Sequence, residues 1–463
     1  MTPRSSAVLR RTTALISTAV LVAFGLAGCG SSDEPTTADT PAQTQNTGDG
    51  GDFACNGSGE VVFWHFFEDR EADVITEAIT NFEALCPDIT VKESGGQDDD
   101  VIIQAISAGQ KIDVALSSAG DQVGVFCSTG AFEDLAARIS ADGIDMNEIV
   151  ATAASYSEFQ GIRCTLPMLT DSYALMYNQD LFDAAGITEV PKTLDELADA
   201  AVKLTTYNDD GSIDVLGLMP FTLYYQMTEW NWATTVDAHF LNEEANASVI
   251  SADPGWPVFF NWQKDLIEKL GGYDKLNTWF AAIGNQWTEE NDFQTGRVAM
   301  MFDGEWRTAF IADQAPDMNY GVAPLPMSAE HQDLYGAGFL TGNVIGIPMG
   351  AGNPDAAWTF IKYMALNEDA QVQMGNGLKN IPTFLPALNS PKLEVDELYQ
   401  VFVDAAFNPN SRTIQSSLIG PAPQEMLGDF AERWQSGAET DLTAGLANLS
   451  KQVDDQLALA GAG

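Results

Sequence analysis

A chain of 463 residues is too long for one hydrophobic core, which stops growing near about 250 to 300 residues, so two lobes are expected. Its 45% hydrophobic and 10% aromatic content is that of a globular body, not of a disordered chain or a membrane bundle. A formal charge of −45, with 66 acidic against 21 basic residues, repels nucleic acid and anionic lipid surfaces and argues against both as partners.

The first 28 residues differ from the rest. Arg4, Arg10 and Arg11 precede an apolar run over 14–26 that is too short to span a bilayer, the pattern of a secretory signal peptide. It ends Leu26-Ala27-Gly28-Cys29, which resembles the lipobox of bacterial lipoproteins. That resemblance implies cleavage before Cys29 and lipidation of its thiol. A diacylglyceryl thioether plus an N-acyl group, palmitate among the expected chains, supplies the two or more chains that stable anchoring needs. Arg10 and Arg11 leave the twin-arginine export route open beside the general one. Removing three Arg leaves 18 basic against 66 acidic residues, about −48 for the mature chain. Residues 30–52 hold no aromatic or large aliphatic side chain and are rich in Ser, Thr, Pro, Gly and Asp, so 29–58 reads as a lipidated Cys and flexible tether.

The folded body opens at Glu60 with the strand-like run VVFWHFF. Val74, Ile75, Ala78, Ile79, Phe82 and Leu85 then recur at helical spacing over 71–85. A second strand over 89–92, a second helix over 101–108 and a third strand over 112–116 follow, an alternation that predicts a mostly parallel sheet covered by helices. Asp98, Asp99 and Asp100 fit no calcium loop and suit a helix N-terminus instead. With Cys29 committed to lipid, Cys55, Cys86, Cys127 and Cys164 remain, an even number that suggests two disulfides in an exported chain. In a β-then-α unit the strand begins and the helix ends at one edge, which favours Cys55–Cys86 and leaves Cys127–Cys164. Each bridge would stabilise by roughly 3 to 4 kcal/mol. No Cys-x-x-Cys pair is present and there are only three His, His65, His239 and His331. These counts argue against a zinc site, and no other metal or cofactor is expected.

Residues 161–180, GIRCTLPMLTDSYALMYNQD, read as a buried strand crossing between lobes, interrupted by Asp171 and Tyr173. A buried carboxylate needs a partner. Asp171 either bonds to backbone or an Arg within one large domain, or faces a cleft and binds ligand hydroxyls. Thr193 and Glu196 form a capping box that opens a helix to about 204. Of the aromatics Tyr224, Tyr225, Trp230 and Trp232, one is expected to serve a ligand, and Trp230 is the candidate. A helix over 257–270 comes next. The buried strand VAMMF then leads into an Asp303-Gly304 turn that delivers Glu305 and Trp306. A Trp past a strand's carboxyl end stands where open α/β sheets bind ligands. Residues 336–348 form a Gly-rich approach to another buried strand, Asn353-Pro354 caps a helix through 366, and 421–459 reads as two amphipathic helices.

Taken in order, these segments resemble the extracellular solute-binding proteins of ABC importers, in the carbohydrate-binding cluster that includes maltose binders. The residues that carry the resemblance are FWHFFEDREADVITEAITNFEALCPDITVK, DVALSSAGDQVGVFCSTGAFEDL, YALMYNQDLFDAAGI with PKTLDELADAA, FQTGRVAMMFDGEW, and GNVIGIP with NPDAAWTFIKYM. The resemblance implies a two-lobed, periplasmic-binding-protein-like α/β fold of type II, each lobe a mostly parallel sheet flanked by helices. Three crossings near 169–173, 341–345 and 379–384 would join lobe 1 (59–168 plus 344–380) to lobe 2 (169–343 plus 381–463). Ligand would sit in the cleft and the lobes would close on it by hinge motion. Carried over residue by residue, Trp64, Glu68 and Asp69 stand where the first strand meets its helix. Asp121 follows the third strand, Asp171 is the acidic hinge residue, Trp306 stacks a sugar ring, and Asn343 lies in the second crossing. Ser117 and Ser118 replace a Trp of the maltose binders, which argues against maltose itself and leaves Ser118 as a polar site candidate.

A pyranose has apolar C–H faces and a rim of hydroxyls, so flat aromatics and planar carboxylates or amides suit it. Trp64 and Trp306 would supply faces, and Glu68, Asp121, Asp171 and Asn343 acceptors. The implied protein is a lipid-anchored, monomeric receptor on the extracellular face of the membrane that delivers a sugar, expected to be an oligosaccharide, to ABC permease subunits. It is not expected to be an enzyme. The alternatives are a secreted glycoside hydrolase using Glu68 and Asp171, a polyamine receptor on the same fold, and a purely structural surface protein.

Overall fold

In the computed structural model, which describes residues 53–413 and 415–462, the first strands and helices alternate as the apolar spacing predicts. The signal segment, Cys29 and tether residues 30–52 lie outside the described residues. Strands β1 (Gly59–Trp64), β2 (Ile89–Ser94) and β3 (Val114–Ser117) pair in parallel, with β1 in the middle. The helix Asp69–Leu85 buries Ile75, Ala78, Ile79 and Phe82, four of the six residues whose spacing marked it, while Val74 and Leu85 are half-buried. Asp98 caps the helix Asp99–Ser107 by accepting from the Val101 N–H at 2.8 Å, so the acidic run does cover a helix N-terminus.

The crossing strand is β4 (Leu166–Asn178), thirteen residues long and buried over its first eleven. It is shared. Residues 166–172 of β4 pair with β8 (Phe339–Gly346) and β9 (Ile381–Pro382), and 173–178 with β6 (Val298–Gly304) and β7 (Tyr320–Ala323). With β5 (Leu216–Leu218) beside β6, and β10 (Arg412–Thr413) beside β8, the sheet runs β2-β1-β3-β8-β4-β6-β5. The class is α/β with a helix-flanked sheet, as expected, but the pairing is mixed. β4 is antiparallel to β6, β7, β8 and β9 because the chain returns through it by crossings, whereas β1, β2 and β3 are joined by helices.

Two further features differ from the sequence reading. Asp303 and Gly304 are the last residues of β6, not a turn, since they continue to pair with Ala174 and Tyr173. Asn353 is the N-cap of the helix Pro354–Leu366, yet its side chain makes no cap bond. Its amide donates instead to Ser58 O at 2.8 Å. The buried Asp113 completes this joint by accepting from Val62 N and Asn353 N, both at 2.8 Å.

Residues Ala54–Gly463 form one compact unit with more than one core. One core gathers Leu175, Trp232, Phe259, Phe302, Phe430 and Leu449, which explains why both C-terminal helices, Ala422–Gln435 and Leu442–Ala460, return to this part. Another gathers Ile102, Phe126, Tyr156, Tyr173 and Trp306. The crossings are clasped by Gln371. Its amide nitrogen donates to Met168 O at 2.5 Å and to Met364 O at 2.8 Å, and its oxygen accepts from Thr383 N at 3.1 Å. Both expected disulfides are present, with Cα atoms 5.6 Å apart for Cys55–Cys86 and 5.5 Å for Cys127–Cys164.

Candidate functional site

The site forms where β4 passes from one set of partners to the other. Tyr173 and Trp306 meet edge to face, their ring centroids 5.5 Å apart, and both are buried. Trp306 begins the helix Arg307–Gln314, and its ring lies over Gly304, where a Cβ would stand 2.1 Å from it. Only a glycine leaves room for the indole at that point. Trp64, at the end of β1, and Trp230, in the helix Glu229–Thr235, are half-buried against the same cluster. Four aromatic candidates are therefore brought together.

The carboxylates behave less simply. Asp171 is buried and accepts from Asn380 Nδ2 at 2.5 Å, while Glu305 accepts from Ser172 N at 2.9 Å and lies 3.5 Å from the same Asn380 nitrogen. Burial, then the Asp171 charge, pushes Glu305 well above the usual carboxylate range. Asp171 is raised too, by burial, against the Asn380 donation. The partners of Asp171 are an amide and a second acid, in place of the backbone or Arg of the first reading. Asp121 is likewise buried, and Gln424 donates to it at 2.8 Å. Burial raises it to about 6. A dry carboxylate with no donor would be costly, so the chain supplies donors from distant segments.

Asn343 is buried, its amide 3.4 Å from Ser118 O, and Ser118 reaches Asp99 at 3.3 Å. Glu68 and Asp69 are exposed at the start of the helix Asp69–Leu85; Glu68 lies over Gly96, and Asp69 has a φ of 45°. The next residue reaches the aromatic cluster: Arg70 pairs with Asp313 at 2.6 Å and lies 5.4 Å from the Phe310 ring. Burial raises the neighbouring Glu71 to about 7.

Sequence reasoning passed over Glu305, Asn380 and Gln424 as site residues. An acid beside a Trp at the end of a buried strand was a usable signal for Glu305. Asn380 and Gln424 carried none, since they meet their partners across 209 and 303 positions. Among the described residues, no group of three or more His, Cys, Asp or Glu is placed to hold a metal ion.

A long strand shared by two sets of partners, with aromatics and acids gathered at the change-over, is the architecture of a two-lobed binding protein. Residues 69–371 match the model of the bacterial extracellular solute-binding protein family, and the chain belongs to that family. Among its relatives is the maltotriose-binding protein of Pyrococcus abyssi, 25% identical over 75% of this chain and 72% of that one. The maltooligosaccharide ABC transporter solute-binding lipoprotein of Streptococcus pneumoniae is 24% identical over 94% of this chain and 95% of that one. Among solved structures, CpMnBP1 with mannotriose bound superimposes with a TM-score of 0.76 at 21% identity, covering 85% of this chain and 99% of that one. The GacH receptor of Streptomyces glaucescens gives 0.69 at 21% identity, over 86% and 98%. These structures share the two-lobed fold.

Proposed function

We propose that this protein is a lipid-anchored extracellular receptor that captures a sugar between two lobes and hands it to the permease of an ABC importer. Lobe 1 comprises 59–168 plus 344–380, and lobe 2 comprises 169–343 plus 381–463. The observation that carries the reading is the Tyr173–Trp306 pair at the change-over of β4, flanked by Trp64 and Trp230. Carboxyl and amide groups of Asp121, Asp171 and Asn343 lie in the same region, and the Trp306 Nε1 and Asn343 Oδ1 atoms are buried without a protein partner. Ring faces beside planar polar groups suit a pyranose. The relatives named as sugar binders support the same ligand class, and the lipobox ending at Cys29 supports the anchor.

Ligand bridging the lobes would shift them toward the closed state, and the closed form would be the one that docks on the permease. The bound sugar leaves uncleaved. The test is a thermal-shift screen of the mature chain against mono- and oligosaccharides, with polyamines and amino acids as controls. A hundredfold excess over Kd should stabilise by about 2.7 kcal/mol, and Trp306→Ala should weaken binding by more than about 2 kcal/mol. Stabilisation by polyamines alone would overturn the ligand class, and shortened sugars in the recovered sample would overturn the receptor reading in favour of a hydrolase.

A further inference from the structure

The corner after β3 gathers acceptors without a cation. Asp98 carries the N-cap bond of the helix Asp99–Ser107, which leaves the Asp99 carboxylate free for this corner, where its Oδ2 lies 3.3 Å from Ser118 Oγ. Asp99 Oδ1 is buried without a hydrogen-bond partner in the protein, and so is Asn343 Oδ1. Asn343 is only 2% exposed, and its amide nitrogen sits 3.4 Å from Ser118 O, at the same corner. Asp121 completes the group, and its donor Gln424 is neutral. Burial raises Asp99 to about 7, and the charge of Asp121 adds to the rise. Among the described residues, the groups that act most on these two acids are hydroxyls, amides and further acids, Glu425 included, and not Lys or Arg. The guanidiniums near the aromatic cluster are committed elsewhere, Arg307 to Asp303 at 2.7 Å and Arg70 to Asp313 at 2.6 Å.

We propose that this corner receives a primary ammonium group of the ligand, so that the sugar captured here is an amino sugar with a free amine. The proposal rests on the sugar reading above and adds a charge to it. A hydroxyl brings one donor together with acceptor lone pairs, whereas an ammonium brings three donors and no acceptor. Asp99 Oδ1 and Asn343 Oδ1 call for donors only. Hydrogen bonds from an ammonium to a carboxylate are about twice as strong as neutral ones, and a positive charge offsets two buried acids that a neutral sugar would leave uncompensated. The corner also lies within reach of the ring pair: burial raises the Tyr173 phenol, and the charges of Asp171, Glu305, Asp303 and Asp121 add to that rise. A ring stacked at Trp306 would therefore present its substituents toward acids. Uronate and phosphorylated sugars are repelled by the same field.

The experiment is isothermal titration of the mature chain at neutral pH with mono- and disaccharides, each in a hydroxyl, a free-amine and an N-acetyl form. Glucosamine, its β-linked dimer and their N-acetyl counterparts are the amine set, and glucose, maltose and mannobiose are the neutral references. The tightest ligand should be a free amine, at least about tenfold tighter than its N-acetyl form, or about 1.4 kcal/mol. Asp99→Asn should abolish that ratio. Asp98→Asn, which removes a charge one residue away on the same helix, should keep it, and cooperative thermal unfolding verifies the fold of both variants. Equal affinity for amine and N-acetyl forms, a preference that survives Asp99→Asn, or one lost equally in Asp98→Asn overturns the ammonium corner while sugar binding stands. Binding of no sugar in any form ends the sugar reading and this one together.

Discussion

Gln424 donates to Asp121 at 2.8 Å across 303 positions of chain, and it ties the loop after β3 to a helix of the core around Leu175. Nearby, Ser416 donates to Gly120 O at 2.6 Å. In the proposed division into lobes these bonds run from one lobe to the other, so opening would break them. Gln424→Ala should therefore favour the open state and cost about 1 kcal/mol in ligand affinity, the usual net worth of one such bond. Small-angle scattering of the unliganded variant should give a larger radius of gyration than the parent. An unchanged radius and affinity would remove this contact from closure.

Gly124 offers a stronger perturbation of the same contact. A Cβ there would stand 2.1 Å from Ser417 O, and backbone cannot yield as a flexible side chain can. Gly124→Val should hold the two segments apart, weaken ligand binding at least about tenfold, and destabilise by roughly 1 to 3 kcal/mol through overpacking. Affinity equal to that of the parent would show that closure does not use this approach.

Gly304 serves the ring face. Because a Cβ at this position would overlap the Trp306 indole, Gly304→Ala should displace the indole without deleting it. The expected outcome is a change in near-ultraviolet circular dichroism together with a binding loss close to that of Trp306→Ala. Intact binding with a displaced indole would remove Trp306 from the site.

Stability should depend on pH in an unusual direction. Burial raises Asp121 to about 6 and Asp99, Glu71 and Glu229 each to about 7, against roughly 4 for such groups in an unfolded chain. Between those values the folded state binds more protons than the unfolded state. Stability therefore falls as pH rises through about 4 to 7. Tm should be higher at pH 5.5 than at pH 7.5 at constant ionic strength, and Asp99→Asn should flatten the difference. A Tm that rises from pH 5.5 to 7.5 would contradict these buried acids.

The two disulfides differ in access more than in loop length. Cys127 and Cys164 are both buried, whereas Cys55 is exposed beside a buried Cys86. Mild reductant should open Cys55–Cys86 first, as read by mass spectrometry of trapped thiols. Replacing either pair by Ser should cost about 3 to 4 kcal/mol, since the separations of 31 and 37 residues give nearly equal loop entropies. Prior reduction of Cys127–Cys164 would contradict the order.

Local chemistry made much of this protein legible from sequence. The helix Asp69–Leu85 follows from apolar spacing, and the helix Leu194–Leu204 from the Thr193 and Glu196 capping box, whose two bonds are both formed. The continuous apolar run through Leu166–Asn178 marked a buried strand because burial on both faces removes alternation. What the tertiary structure alone decided is which polar groups meet. Asp171 with Asn380 and Glu305, and Asp121 with Gln424, are pairings between segments far apart in the chain. No periodicity or spacing encodes them, because a buried carboxylate requires only that some donor arrive, and the packing of distant segments determines which one does. The same holds for the row of rings from Trp306 through Tyr173, Phe339 and Trp230 to Phe240. Each ring was visible as a residue, but the row exists only because β4, β8 and the helix Glu229–Thr235 converge.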